Sequence, residues 1–139
     1  MPTSHSELQV ITAAKNLCSY VLTITQKSPK QFRFSLIGRM QGYVLDIVEE
    51  LYFANDVFIK PGANTAWKTR VDHQRKAMST LKLLTWVAQV SMEQGAIQPK
   101  QYEQICRHAY DTQNMLGAWM NSDRKRMLVP KVQVQERQQ

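Results

Sequence analysis

The sequence holds only two cysteines, Cys18 and Cys106, and no CxxC pair. That excludes a zinc ribbon and a dithiol redox motif. Both cysteines fall on apolar helical faces, where a thiol packs as a small hydrophobe. Glycine and proline are scarce, five of each, and they fall mostly between periodic segments, which favours long helices over many short strands. No apolar run approaches the roughly 18 residues of a membrane span. The opening MPTSHSELQV has no basic region followed by an apolar stretch, so no signal peptide is expected. Together these absences predict a cytoplasmic chain with reduced thiols and no membrane contact.

Catalytic constellations are missing too. His5, His73 and His108 have no ligand-type residue four positions on. The Glu-x-x-His pairs of di-iron bundles are absent, as are glycine-rich phosphate loops and the common nucleophile and zinc signatures. Glu49 and Glu50 are adjacent, so on a helix they point in different directions and form a solvated acidic patch. No catalytic residue, metal or cofactor is expected, and the chain reads as a non-enzyme.

What is present is helical periodicity in four segments. Leu8, Ile11, Ala14, Cys18, Val21 and Leu22 recur at three- and four-residue steps, after a capping-box spacing at Ser4 and Glu7. Ser28-Pro29 ends that helix, because the residue before proline is pushed out of helical geometry. A second helix is predicted over 31–55, with an unusually wide apolar face. Phe32, Phe34, Tyr52 and Phe53 lie outside its main stripe, which predicts more than one neighbour. Gly38 and Gly42, four apart, suit either two weak spots or the close approach of another helix. Residues 56–64 form the longest connection, with a turn at Pro61-Gly62 and apolar residues Val57, Phe58 and Ile59 expected over the bundle end. Asn64 or Thr65 is predicted to cap a third helix, with an inner stripe of Trp67, Val71, Met78, Leu81, Leu84, Thr85 and Ala88. Gly95 closes it. Pro99 opens a fourth, whose expected inner face is Tyr102, Ile105, Cys106, Ala109, Gln113, Leu116, Gly117 and Met120.

The fold expected is all-α, an antiparallel up-down-up-down four-helix bundle over 1–126. Residues 127–139 read as a flexible C-terminal tail, Pro130 stopping any helix, with a partner-dependent strand as the alternative.

The net charge is +7, and its arrangement is uneven. Lys27, Lys30, Arg33 and Arg39 cluster without an acid, and residues 60–82 hold six cations against Asp72 alone. Arg124, Lys125 and Arg126 form a run late in the fourth helix. An up-down-up-down path brings the start of helix three and the end of helix four to one end of the bundle. The residues expected to contact phosphates there are Lys68, Arg70, Arg75, Lys76, Arg124, Lys125 and Arg126. Cations at a helix start oppose the dipole, which favours a partner-binding role for the first four. The run at 124–126 suits either phosphate contact or the carbonyl end of its own helix.

Residues 113–120 read Gln-Asn-Met-Leu-Gly-Ala-Trp-Met. This resembles the Met-Leu-Gly-Gly-Trp signature closing helix four in the Avd-like four-helix-bundle family. Those are the accessory variability determinants of diversity-generating retroelements, related to the four-helix proteins of ribosomal RNA intervening sequences. Ala118 stands where the family has a second glycine. Arg70, Arg75 and Lys76, opening helix three, and Gln98-Pro99-x-x-Tyr102, opening helix four, fit the same pattern. Taken alone, Gly117 and Trp119 read as a packing motif, the glycine admitting a neighbouring helix and the indole supplying apolar surface. The resemblance implies a basic homopentamer that associates with a reverse transcriptase and its template RNA, with DNA as a further nucleic-acid partner, and supports mutagenic cDNA synthesis. Two alternatives stand beside it. One is an intervening-sequence-type bundle of structural or undefined role, and the other a scaffold for an acidic protein.

Overall fold

The computed structural model describes the backbone of residues 2–138 and the side chains of residues 9–128. The expected Ser4–Glu7 capping box lies outside the described side chains. The expected flexible tail over 127–139 is corrected by the backbone, which stays helical through Pro130 as far as Gln138, so proline does not stop the helix there, and Met127 is buried.

Four helices carry the fold: α1 (Pro2–Ile24), α2 (Gly38–Asp56), α3 (Asn64–Glu93) and α4 (Pro99–Gln138). No strand occurs among the described residues. Between α1 and α2 the chain makes two short 3-10 turns, Thr25–Lys27 and Lys30–Phe32, then a π-helical turn, Arg33–Ile37. The second helix expected over 31–55 is thus continuous in path but regular only from Gly38.

Gly38 is what the π-helical turn requires. A Cβ there would sit 2.9 Å from the Arg33 carbonyl oxygen. Around Gly42 a Cβ would meet nothing within 4 Å. Neither glycine therefore seats another helix, the closer of the two approaches being to the chain's own preceding turn. Gly62 and Gly95 do need their freedom, at φ of 92° and 84°. Pro61-Gly62 makes a turn closed by the Ala63 N–H donating to the Lys60 carbonyl at 3.0 Å. Past α3, the N–H groups of Gly95 and Ala96 return to the carbonyls of Met92 and Ser91 at 3.1 and 2.7 Å. That satisfies orphan groups of the last turn. At the start of α3 the cap is Ala63, with no side-chain hydrogen bond, so neither Asn64 nor Thr65 caps it.

Pairs of contacts give the helix directions. Lys15 lies over the Tyr52 ring and Gln41 donates to Thr25 Oγ1, so α1 and α2 run in opposite senses. His73 meets Glu50, and the Ser91 hydroxyl lies 3.8 Å from Met40 Sδ, so α2 and α3 do likewise. One core runs through all four helices. It is built on Val10, Leu17, Met40, Ile47, Leu51, Leu81, Leu84, Ile105, Leu116 and Trp119, each fully or almost fully shielded from water.

On α3 the buried positions are Arg70, Gln74, Ala77, Leu81, Leu84, Val87, Ala88 and Ser91. Trp67, Val71 and Met78, expected on the inner stripe, are half-buried beside it. On α4 the inner positions are Ile105, Ala109, Thr112, Leu116, Trp119 and Asp123. Gln113, Gly117 and Met120 are half-buried, as are Tyr102 and Cys106. Burial pushes the Cys18 thiol above its ordinary value, which keeps it protonated and unreactive.

Candidate nucleic-acid interface

Charged residues from two distant segments meet where the start of α3 packs against residues 117–124 of α4. Arg70 fixes that meeting. Its Nε and Nη2 donate to the two carboxylate oxygens of Asp123 at 2.8 and 2.9 Å, and Nη1 donates to the Val57 carbonyl at 3.2 Å. The guanidinium also lies 4.8 Å from the centroid of the Trp119 ring. Gln74 Nε2 adds a third donor to Asp123, at 3.0 Å. Arg70 is 3% exposed and Asp123 is completely buried.

This geometry corrects the expectation for Arg70. Its donors are engaged inside the protein and its charge is matched, so it cannot reach a phosphate. Arg126 is also drawn inward. It is half-buried, and its Nη2 donates to the Ile59 carbonyl at 3.2 Å. Arg70 and Arg126 thus pin the 57–63 connection to the bundle from two sides. Within that connection Ile59 is buried, while Phe58 stands 78% exposed. The apolar connection expected over the bundle end is therefore partly folded down and partly presented.

The other basic residues are exposed: Lys68, Arg75, Lys76, Arg124 and Lys125. Three of them, Lys68, Arg75 and Arg124, line one groove of about 530 Å³ between α3 and α4. Spacing explains the α3 pair, since residues seven apart stand on one helix face two turns apart. Arg124 enters from the opposite wall and donates to Asn121 Oδ1 at 3.2 Å. Trp67, Val71, Gly117 and Met120 form the apolar floor, and no acidic residue lines the groove. Lys76 and Lys125 each follow a groove residue by one position, about 100° round their helices, and do not line it.

Gly117 has a different role from the close helix contact expected of it. A Cβ at that position would meet nothing within 4 Å. The glycine opens the groove rather than admitting a neighbouring helix. Trp119, two residues on, is fully buried against Arg70. Ala118 is exposed. The indole Nε1 of Trp67 and Oε1 of Gln74 are buried without a hydrogen-bond partner.

The other basic cluster lies at the far end. Lys27, Ser28 and Pro29 face Gly95, Ala96 and Ile97 across a cleft, where α1 ends and α4 begins. Among the described residues no group of His, Cys, Asp and Glu could hold a metal ion. Nor is any described helix long and apolar enough to cross a membrane.

A second surface combines apolar side chains with Arg39 and Asp46. Phe34 is 94% and Trp86 62% exposed, and with Gly42 they line a groove on the α2–α3 face. Leu45, Leu83, Tyr52 and Phe53 are also exposed. Phe32, in contrast, packs against the core. The chain matches no family model and no curated protein.

Proposed function

We propose that the chain is a non-catalytic accessory subunit that binds nucleic acid through the basic groove between α3 and α4. The observation that carries this reading is the convergence of Lys68 and Arg75 from one helix with Arg124 from another around a groove without an acid. A purely local run of cations serves its own helix end, but cations from two walls of one groove serve something between them. Lys76 and Lys125 extend the positive surface beyond the rim.

The resemblance of residues 113–120 to the accessory variability determinant signature supports a more specific role. In that role the protein is cytoplasmic and partners a reverse transcriptase and its template RNA or cDNA, supporting mutagenic reverse transcription in a diversity-generating retroelement. Exposed Phe34 and Trp86 support assembly into a homo-oligomer, a pentamer on the same resemblance. The direct test is the affinity of the purified protein for a labelled single-stranded RNA across a salt series. With three phosphates neutralised, log Kobs against log salt should fall with a slope of about −2. A flat salt dependence would remove the nucleic-acid reading and favour a protein ligand.

A further inference from the structure

Resting on the nucleic-acid reading, we infer that the groove over Gly117 receives an unpaired base of a single-stranded nucleic acid, with the flanking phosphates on Lys68, Arg75 and Arg124.

Charge alone would suit any phosphate backbone, so the floor decides. A binding face for duplex backbone needs cations on an open surface and no apolar slot between them. Here Trp67, Val71 and Met120 place an aromatic ring, a branched aliphatic side chain and a thioether between the cations. Apolar and aromatic floors flanked by cations are how proteins hold unstacked bases, because every base has a π-face and every nucleotide a phosphate. Duplex bases are already stacked and paired, and could enter only by being extruded.

Gly117 is the second observation. Glycine inside a helix weakens it, and such a residue ordinarily has a packing reason. This one has none within the chain, since a Cβ would meet nothing within 4 Å. What the missing side chain provides is depth in the groove that the cations surround. Asn64 and Asn121 on the lining add side-chain amides that can hydrogen-bond a base edge, the Asn121 Oδ1 already accepting from Arg124.

An acidic peptide carrying an aromatic residue is the competing occupant. It is disfavoured because the cations stand on both walls, Lys68 and Arg75 two turns apart on α3 and Arg124 on α4. A strand with a charge on either side of each planar group meets that arrangement without special sequence.

The test compares two probes on the full-length protein: a short oligouridine and an abasic oligonucleotide of the same length and phosphate count. The wild type should prefer the base-bearing probe by on the order of tenfold. Gly117→Leu fills the groove while leaving all cations in place. It should abolish that preference, the base-bearing probe losing more affinity than the abasic one. Gly117→Ala, whose methyl group meets no atom of the protein, is the second variant should the leucine disturb folding, and it should narrow the preference. If the preference survives both substitutions, or the wild type binds the two probes equally with a steep salt slope, the base does not occupy this groove. In that case the nucleic-acid reading itself stands. If neither probe binds, both readings fall. An acidic aromatic peptide that displaces oligouridine and loses its own binding in Gly117→Leu would likewise overturn the inference, in favour of a protein ligand.

Discussion

Arg70 and Asp123, 53 positions apart in sequence, face each other through two parallel hydrogen bonds inside the bundle. This pair locks the start of α3 to α4 and, through the Val57 carbonyl, holds the α2–α3 connection. Both charges are shielded from water, so each depends on the other. Removing one partner of a buried ion pair leaves the second uncompensated, at a cost of about 3–5 kcal/mol. Arg70→Gln and Asp123→Asn are each expected to lower stability by an amount in that range, measured by urea denaturation. A paired replacement by apolar residues of similar volume, Arg70→Met with Asp123→Leu, should recover much of the loss. If Arg70→Gln kept the wild-type midpoint, the pair would not hold the helices.

The glycines separate in the same assay. Gly117→Ala is expected to stabilise by up to about 1 kcal/mol, because it restores helix propensity in open space. Gly38→Ala is expected to destabilise, since its Cβ would press on the Arg33 carbonyl at 2.9 Å. Equal effects at both sites would show that propensity alone governs them and that the π-helical turn can shift without cost.

How far these sites were legible in the sequence follows from the same residues. Apolar periodicity locates four helices, and Gly95 and Pro99 mark the α3–α4 turn, because hydrophobic spacing and backbone restriction are local properties. Topology then brings the start of α3 to the end of α4, which is where Lys68, Arg75 and Arg124 meet. Arg70, expected at the surface, is buried together with Gln74 because the core there is polar. Hydropathy shifts the stripe to Val71 and Met78, each one position from buried Arg70 and Ala77, and so assigns Arg70 to the surface. Heptad spacing held the missing signal. Arg70, Ala77 and Leu84 are seven apart, as are Ala109, Leu116 and Asp123, which puts opposite charges in line with two core rows. Gly117 was placed on a helix contact for a related reason. Its position in the stripe is visible in the sequence, but the emptiness beside it is a property of the packed helices.

Assembly is tested by the apolar face. Phe34 and Trp86 are among the most exposed large side chains, and a monomer rarely leaves such groups clustered. Light scattering at micromolar concentration should give an oligomer of the 16.1 kDa chain, five-fold on the family resemblance. Replacing both residues with serine should shift the distribution to the monomer without loss of helicity. A wild-type species of 16.1 kDa under the same conditions would refute assembly.

Nucleic-acid binding at one end of the bundle is tested most directly by comparing two charge-matched variants across a salt series. In the first, Lys68, Arg75 and Arg124 become glutamine, all exposed and all on the groove. In the second, Lys27, Lys30 and Arg33 become glutamine, all exposed in the segment between α1 and α2. Both remove the same charge, so a nonspecific effect of net charge touches them equally. The groove variant is expected to bind single-stranded RNA more weakly, and its salt slope to flatten by about 0.7 for each lost phosphate contact. The second variant should keep a slope close to wild type. An equal loss in both variants, or a greater loss in the second, would contradict placement of the interface in the α3–α4 groove.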